Sequence, residues 1–253
     1  MIIGHTLVGQ GKEPVIVMPG WFADHTVFAP MLPYLDGERF TYGFVDYRGY
    51  GQSRDIKGDY SMAELAADAI ALADHYGWKR FHAIGHSMGG KAIERLILDA
   101  GDRVKSGIAL TPVPAAMPPM VGAEKALFEG AVDDDGKRRA IIDYSSGKRL
   151  SGVWLDWMVR RSHETTTRAA FAAYLKAWST DGFAEAINGD RTPLLVAIGE
   201  HDLALTAAVM RQTYLAWHKA AELAVLPNAG HYPMQETPVY LATVIERFLA
   251  AKS

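Results

Sequence analysis

Residues 80–91, Arg-Phe-His-Ala-Ile-Gly-His-Ser-Met-Gly-Gly-Lys, constrain this chain more than any other stretch. The apolar run Phe81, Ala83 and Ile84 reads as the end of a buried strand. It meets Gly85-His86-Ser87-Met88-Gly89, after which apolar residues recur at helical period. A G-x-S-x-G pattern between a strand and a helix is the setting of a nucleophile elbow. The turn is so sharp that the backbone around its serine crowds its neighbours, and glycine, lacking Cβ, leaves room on both sides. Such a turn lifts Ser87 Oγ clear of the sheet, at a helix N-terminus whose free N–H groups favour developing negative charge. The competing reading is a glycine-rich turn with an incidental serine. A base and an acid elsewhere in the chain decide between the two.

A serine hydroxyl is a poor nucleophile at neutral pH and needs a base, which in turn needs an orienting acid. Of nine histidines, His231 stands out by position. Pro227-Asn-Ala-Gly-His231-Tyr-Pro places it in a loop between a short strand and the last helix, on the sheet side where active-site loops collect. The acid is expected after another strand, in the order Ser…Asp/Glu…His. Gly199-Glu200-His201-Asp202 follows the apolar run 194–198 directly. Asp202 is preferred because Glu200, next to the glycine, is committed to the turn; a helix N-cap is the alternative role for Asp202. An oxyanion hole needs two N–H groups, and the candidates are the backbone of Met88, after the serine, and of Trp21, after an early strand. The Trp21 side chain is read as packing.

Around these residues the chain alternates. Strands are expected at 2–8, 14–18, 41–46 and 104–111, and helices at 27–35, after the capping-box pattern Ser61-Met-Ala-Glu64, and after the elbow. Met62, Leu65, Ala69, Leu72 and Tyr76 form one helical stripe before Gly77; Ile93, Leu96, Ile97 and Ala100 form another before Gly101. Alternation of this kind implies a mostly parallel sheet with helices on both faces. At Pro112 the texture changes: four prolines by residue 119, then mostly helical pattern with no convincing strand. Alternation resumes at 193–198, with a helix near 205–217, a strand near 223–226 and a last helix opened by Thr237 and Pro238. The expected organisation is an α/β core of residues 1–111 and 188–253, with 112–187 inserted as a helical cap. The insert is rich in aromatic residues and methionine. Trp154, Trp157 and Met158 fall on one helical face and, with Phe22, are the candidate substrate contacts, although stripes of this kind more often pack than bind.

Composition removes several function classes. A net charge of -3 with dispersed basic residues argues against nucleic acid and anionic membranes as partners. The absence of cysteine rules out disulfides, thiol catalysis and zinc–thiolate sites. No metal or cofactor is expected: His82 and His86 are four apart but lie on a strand and its turn, not on one helical face. Neither a signal-peptide pattern nor a membrane-length apolar run is present, so a cytoplasmic location is the expectation.

Taken together, Pro19-Gly20-Trp21, Asp46-Tyr-Arg-Gly-Tyr-Gly-Gln-Ser53, Gly85-His-Ser-Met-Gly-Gly90, Gly199-Glu-His-Asp202 and Gly230-His231 with Glu236 and Pro238 resemble the α/β-hydrolase superfamily. They are most similar to its capped branch of small carboxylesterases, cofactor-free haloperoxidases and meta-cleavage C–C hydrolases. The resemblance implies a cap over the nucleophile and a serine hydrolase of a small, largely apolar ester or lactone. The same triad also serves C–C hydrolysis, perhydrolase or haloperoxidase chemistry and cofactor-free dioxygenation, and a ligand receptor that retains it is a further alternative. Pro-Gly-Trp…Asp-His at 19–25 is similar to the dioxygenases, whose elbow carries histidine where this chain has Met88. Dehalogenases and epoxide hydrolases of this fold carry aspartate in place of Ser87. Two departures stand out: Pro19-Gly20 replaces the usual His-Gly, and the hairpin starts abruptly, as if an early strand were absent.

Overall fold

Continuous apolar runs build the centre of the molecule. In β2 (Glu13–Met18) the last four residues are buried, and in β4 (Phe81–His86) and β6 (Leu194–Gly199) all six are, as strands covered on both faces require. The computed structural model describes residues 2–253. With β1 (His5–Val8), β3 (Phe40–Val45), β5 (Val104–Leu110) and β7 (Ala221–Leu226) these strands form one seven-stranded sheet in the order 1-3-2-4-5-6-7. Only β1 is antiparallel to its neighbour; the other pairs are parallel. From β2 the chain goes to β3 on one side, whereas β4 lies on the other. Between β2 and β4 there is thus a topological switch point, where a crevice opens at the strands' C-terminal ends.

Helices cover the sheet where the apolar stripes predict them. Helix α1 (Met62–His75) buries Met62, Leu65, Ala69 and Leu72; α2 (Met88–Ala100) buries Ile93, Leu96 and Ile97. The capping box closes in a modified form. Ser61 Oγ accepts from Glu64 N, but the Glu64 carboxylate accepts from Tyr60 N, one residue upstream of the expected donor.

Four expectations are corrected. Residues 25–34 form a 3-10 helix, because Pro30 and Pro33 lack the N–H that an α-helix interior uses. The segment expected as one helix at 205–217 breaks at Thr213 into α8 (Ala207–Gln212) and α9 (Tyr214–Trp217). Thr237 precedes the last helix but does not cap it. A short α10 (Pro233–Glu236) runs straight into α11 (Pro238–Lys252), and the Thr237 hydroxyl donates back to Pro233 O. Residues 2–4 also stay outside the first strand, which begins at His5.

Between β5 and β6 lie five helices: α3 (Gly122–Gly130), α4 (Asp135–Ser145), α5 (Gly152–Thr165), α6 (Arg168–Thr180) and α7 (Ala184–Ile187). The segment is tied to the sheet layer by polar bonds to main-chain carbonyls. Lys91 Nζ on α2 donates to Trp178 O at 2.9 Å, and Tyr174 O–H donates to Arg48 O at 3.2 Å. Behind α2, the fully buried His218 bridges Glu94 (3.0 Å) and Asp190 (3.1 Å). Burial by itself would lower the His218 pKa; hydrogen bonds and charge from Asp190 and Glu94 outweigh it and raise it to about 9. A raised folded-state pKa means that the protonated ring stabilises the fold, fully below the ordinary value of 6.5 and less as pH rises through about 9. The margin by which the wild type out-melts His218→Gln is therefore expected to shrink over that interval in thermal denaturation. A margin that stays constant across it would contradict a charged His218.

Candidate active site

The loops that follow β2 and β4 meet at the switch point, and the elbow is built by close backbone approach. A Cβ on Gly85 would sit 2.0 Å from Gly89 O, and one on Gly89 would sit 2.4 Å from Met18 O. Neither position can carry a side chain without separating β4 from α2, or α2 from the end of β2. Ser87 itself is held at φ 54°, ψ -115°, a conformation that costs a non-glycine residue on the order of 1–3 kcal/mol. The surrounding bonds over-determine it: Ser87 N donates to Leu110 O, and Ser87 O accepts from Gly90 N and Val113 N, each at 2.9 Å.

His231 is fixed from three sides. Its Nδ1 lies 2.7 Å from Asp202 Oδ2, and with an ionised carboxylate that places the proton on Nδ1 and leaves Nε2 as the acceptor. Its carbonyl accepts from His86 Nε2 at 2.8 Å and from Thr111 Oγ1 at 3.0 Å. Burial holds the His86 pKa well below the usual histidine range, with His231 adding to the effect, so His86 is a neutral donor here. Asp202 does not take the helix N-cap role considered as its alternative, since Thr206 caps α8. Oδ2 takes the histidine, while Oδ1 accepts from Ala204 N and Leu205 N in a tight turn. Glu200 is exposed and accepts from Asn228 N, a turn contact as expected. Sequence reasoning assigned no role to Glu236, which braces the histidine loop: its carboxylate accepts from Gly230 N, Tyr232 N and Arg149.

The loop at 19–25 is pinned by the Asp46–Ser53 stretch. Tyr47 O–H donates to Pro19 O and Tyr50 O–H to Trp21 O, both at 2.8 Å. Asp46 accepts from His25 N and Gln52 N. Among the described residues, the N–H groups of Trp21 and Met88 donate to no protein acceptor, which leaves both free for a ligand. Gly20 permits this arrangement, since a Cβ there would lie 2.8 Å from His86 Nδ1. Among the described residues, Asp24, His25 and Asp46 bring side-chain atoms able to ligate a metal within 4.8 Å of one another. Its groups already bond each other and the loop: His25 Nδ1 sits 2.9 Å from both Asp46 oxygens, and Asp24 Oδ1 accepts from Thr26.

Ser87 and His231 open onto one cavity of about 600 Å³. Among the described residues, the His231 ring bonds Asp202 and makes no hydrogen bond to Ser87 Oγ, a contact that commonly tightens only around substrate. Trp21, Phe22 and Tyr232 line it from the sheet layer, and Met117, Phe128 and Trp178 line it from the segment between β5 and β6. Of the four candidate substrate contacts, Phe22 alone lines this cavity. Trp154, Trp157 and Met158 do not line the cavity. Helix α5 packs against α4, with Met158 buried, and the rings of Trp154 and Tyr232 meet in a T-shaped pair with centroids 5.4 Å apart. Leu203, Leu205, Tyr144 and Tyr232 line it without having been singled out. They lie in loops or at a helix end, where no periodicity marks them.

Residues 13–238 match the family model for the alpha/beta hydrolase fold. The chain is 26% identical to the non-heme haloperoxidase of Rhodococcus erythropolis, over 88% of this chain and 86% of that protein. A shorter match, 36% identical, to the 2-heptyl-3-hydroxy-4(1H)-quinolone dioxygenase of Mycobacteroides abscessus covers 43% of this chain and 38% of that one. An esterase from Exiguobacterium antarcticum superposes with a TM-score of 0.86 over 98% of this chain and 95% of its own, at 18% identity, a likeness of fold alone. With a glycine-walled serine elbow at the switch point and a family match spanning β2 to the start of α11, the chain belongs to the α/β-hydrolase fold family.

Proposed function

We propose that the protein is a serine hydrolase of small, largely apolar carboxylic esters or lactones, with 112–187 as the cap over its active site. The observation that carries the reading is a single apolar cavity onto which Ser87 and His231 both open, with His231 tied to the buried Asp202. Ser87 Oγ attacks the ester carbonyl while His231 Nε2 takes its proton, and Asp202 stabilises the resulting imidazolium. The oxyanion forms between the N–H groups of Trp21 and Met88. The protonated His231 then gives its proton to the leaving alkoxide, releasing the alcohol. Water, deprotonated by the same histidine, attacks the acyl-enzyme, and collapse returns the carboxylic acid and free Ser87. None of these steps calls on a metal or cofactor.

The similarity to a haloperoxidase over most of both chains favours one second reading. The acyl-enzyme would be attacked by hydrogen peroxide in place of water, giving a peracid from the same Ser87 intermediate. Comparing acid with peracid formation on one ester, with and without added peroxide, separates the two.

Hydrolysis of a p-nitrophenyl ester series tests the main reading. Ser87→Ala is expected to lower kcat about 10⁵–10⁶-fold, as loss of a triad nucleophile does. Asp202→Asn, which leaves the geometry but favours the wrong histidine tautomer, should lower it about 10⁴-fold. Equal activity in wild type and Ser87→Ala would reject an acyl-enzyme on this residue, and ligand-driven stabilisation without turnover would instead favour a receptor.

The cavity volume falls within the range of drug-sized ligand sites, roughly 300–1,000 Å³, and is generous for an acetyl group. The chain-length optimum is therefore expected at medium-chain esters rather than at acetate. Phe128→Ala, which removes part of the wall, should move it to longer chains. An optimum at acetate in both proteins would contradict this.

A further inference from the structure

Arg138 on α4 is the largest fully buried side chain of the protein, 1% exposed, and its position is unusual for a guanidinium. Its Nε donates to Ala131 O at 2.7 Å, Nη1 to Ser162 Oγ at 2.7 Å and Nη2 to Val132 O at 3.1 Å. All three partners are neutral, and no carboxylate lies within 4.0 Å of it among the described residues. The charges of Asp135 and Asp133 act on it only without direct contact, and an apolar side chain of similar volume would fill the same space. It also lies over an aromatic ring. Arg138 Cζ sits 4.0 Å from the centroid of Phe171 on α6, a desolvated cation–π pair.

Phe171 in turn stacks on Trp21, with centroids 4.1 Å apart and planes 15° from parallel. At these distances the guanidinium and the indole must occupy opposite faces of the phenyl ring. The Trp21 Nε1–H also donates to Phe171 O at 2.7 Å, so this one residue holds the indole by its face and by its edge. The peptide between Gly20 and Trp21 carries the N–H assigned above to the oxyanion. Gly20 offers that peptide no steric guidance of its own. What orients it is the anchored indole on one side and the Tyr50 O–H bond to Trp21 O on the other.

We propose that Arg138 is a positioning residue: acting through Phe171, it clamps the Trp21 indole and so holds the Trp21 N–H in place for the oxyanion. The column Arg138–Phe171–Trp21 makes the oxyanion donor of the sheet layer depend on a cation supplied by the inserted helices. This rests on the reading of Ser87 as an acylating nucleophile.

The test uses the full-length protein and three variants. Arg138→Met keeps the packing stem and removes the cation, Arg138→Lys keeps a cation without the fork, and Phe171→Leu breaks the column while leaving the three Arg138 hydrogen bonds. The first readout is hydrogen exchange of the Trp21 indole N–H, followed by NMR in ¹⁵N-tryptophan-labelled protein and assigned with Trp21→Phe. The second is the split between kcat and KM on the preferred p-nitrophenyl ester. In Arg138→Met and Phe171→Leu the indole should exchange about tenfold faster or more. In the same variants kcat should fall about tenfold or more with KM within about twofold, the pattern of an interaction made in the transition state. Arg138→Lys should recover part of both. Unchanged indole exchange overturns the clamp, and faster exchange with unaltered kcat overturns its link to the oxyanion. Should Arg138→Met fail to fold, Phe171→Leu carries both readouts. A wild type inactive on every ester would sink the hydrolase reading instead, while indole exchange still decides the clamp.

Discussion

The structure hangs on the parallel pairing of β2 with β4, in which Met18 stands opposite Gly85. That register brings two strand ends side by side at the switch point, so the Trp21 loop and the Ser87 elbow must share a small volume. They fit only because backbone approaches backbone. The contact of Gly89 with the Met18 and Pro19 carbonyls leaves no space for a Cβ, and Gly20 lies against the side-chain ring of His86. A side chain at either position would separate the serine from the loop that faces it. The conformation of Ser87 is thus imposed by the packing of β2, β4 and α2 rather than by local preference.

The histidine loop depends on the same contact region through His86. This neutral, buried ring donates to the His231 carbonyl and sits beside Gly20, so one side chain touches both the loop after β2 and the loop after β7. Thr111 and Glu236 complete the support from β5 and α10. The inserted helices are joined to the sheet layer by a different kind of contact, polar bonds to main-chain carbonyls. Lys91 is the clearest case. Burial pushes its pKa down to about 8, with Asp181 and Glu94 working against that shift, and its ammonium meets Trp178 O near the end of α6, where free carbonyls accumulate. Trp178 also lines the cavity, so the attachment of the insert and the shape of the pocket are set by the same residues.

How much of this is readable in the sequence follows from the range of the interactions involved. The strands and the two long helices after residue 61 declare themselves because burial on one or both faces writes a period into the chain, as in Phe81–His86 and the Ile93, Leu96, Ile97 stripe. The elbow is equally legible, since close approach demands glycine at fixed spacing. The prolines at 30 and 33 were visible as well, and their effect on the expected helix is local chemistry that a hydrophobic pattern overlooks. The break at Thr213 and the α10–α11 joint carry no such mark; they answer to what lies beneath the chain at those points. The cavity wall was the least legible part. Trp154, Trp157 and Met158 have the helical spacing of a buried face, but α5 packs against α4, with Trp154 against the Tyr232 ring, and none of the three lines the cavity.

By itself, then, the sequence determined the alternating α/β architecture, the serine elbow, and the order in which an acid and a histidine follow it. Each of these is a local requirement: a period of burial, a glycine where a Cβ cannot fit, a polar residue directly after a strand. Only the tertiary structure decided which carboxylate reaches His231, which aromatic residues face the cavity, and that a buried arginine far along the chain stacks through Phe171 onto Trp21. Those are contacts between segments as much as 150 residues apart. Their geometry follows from how the helices settle on the sheet, a property of the assembled layers that no single stretch of sequence encodes.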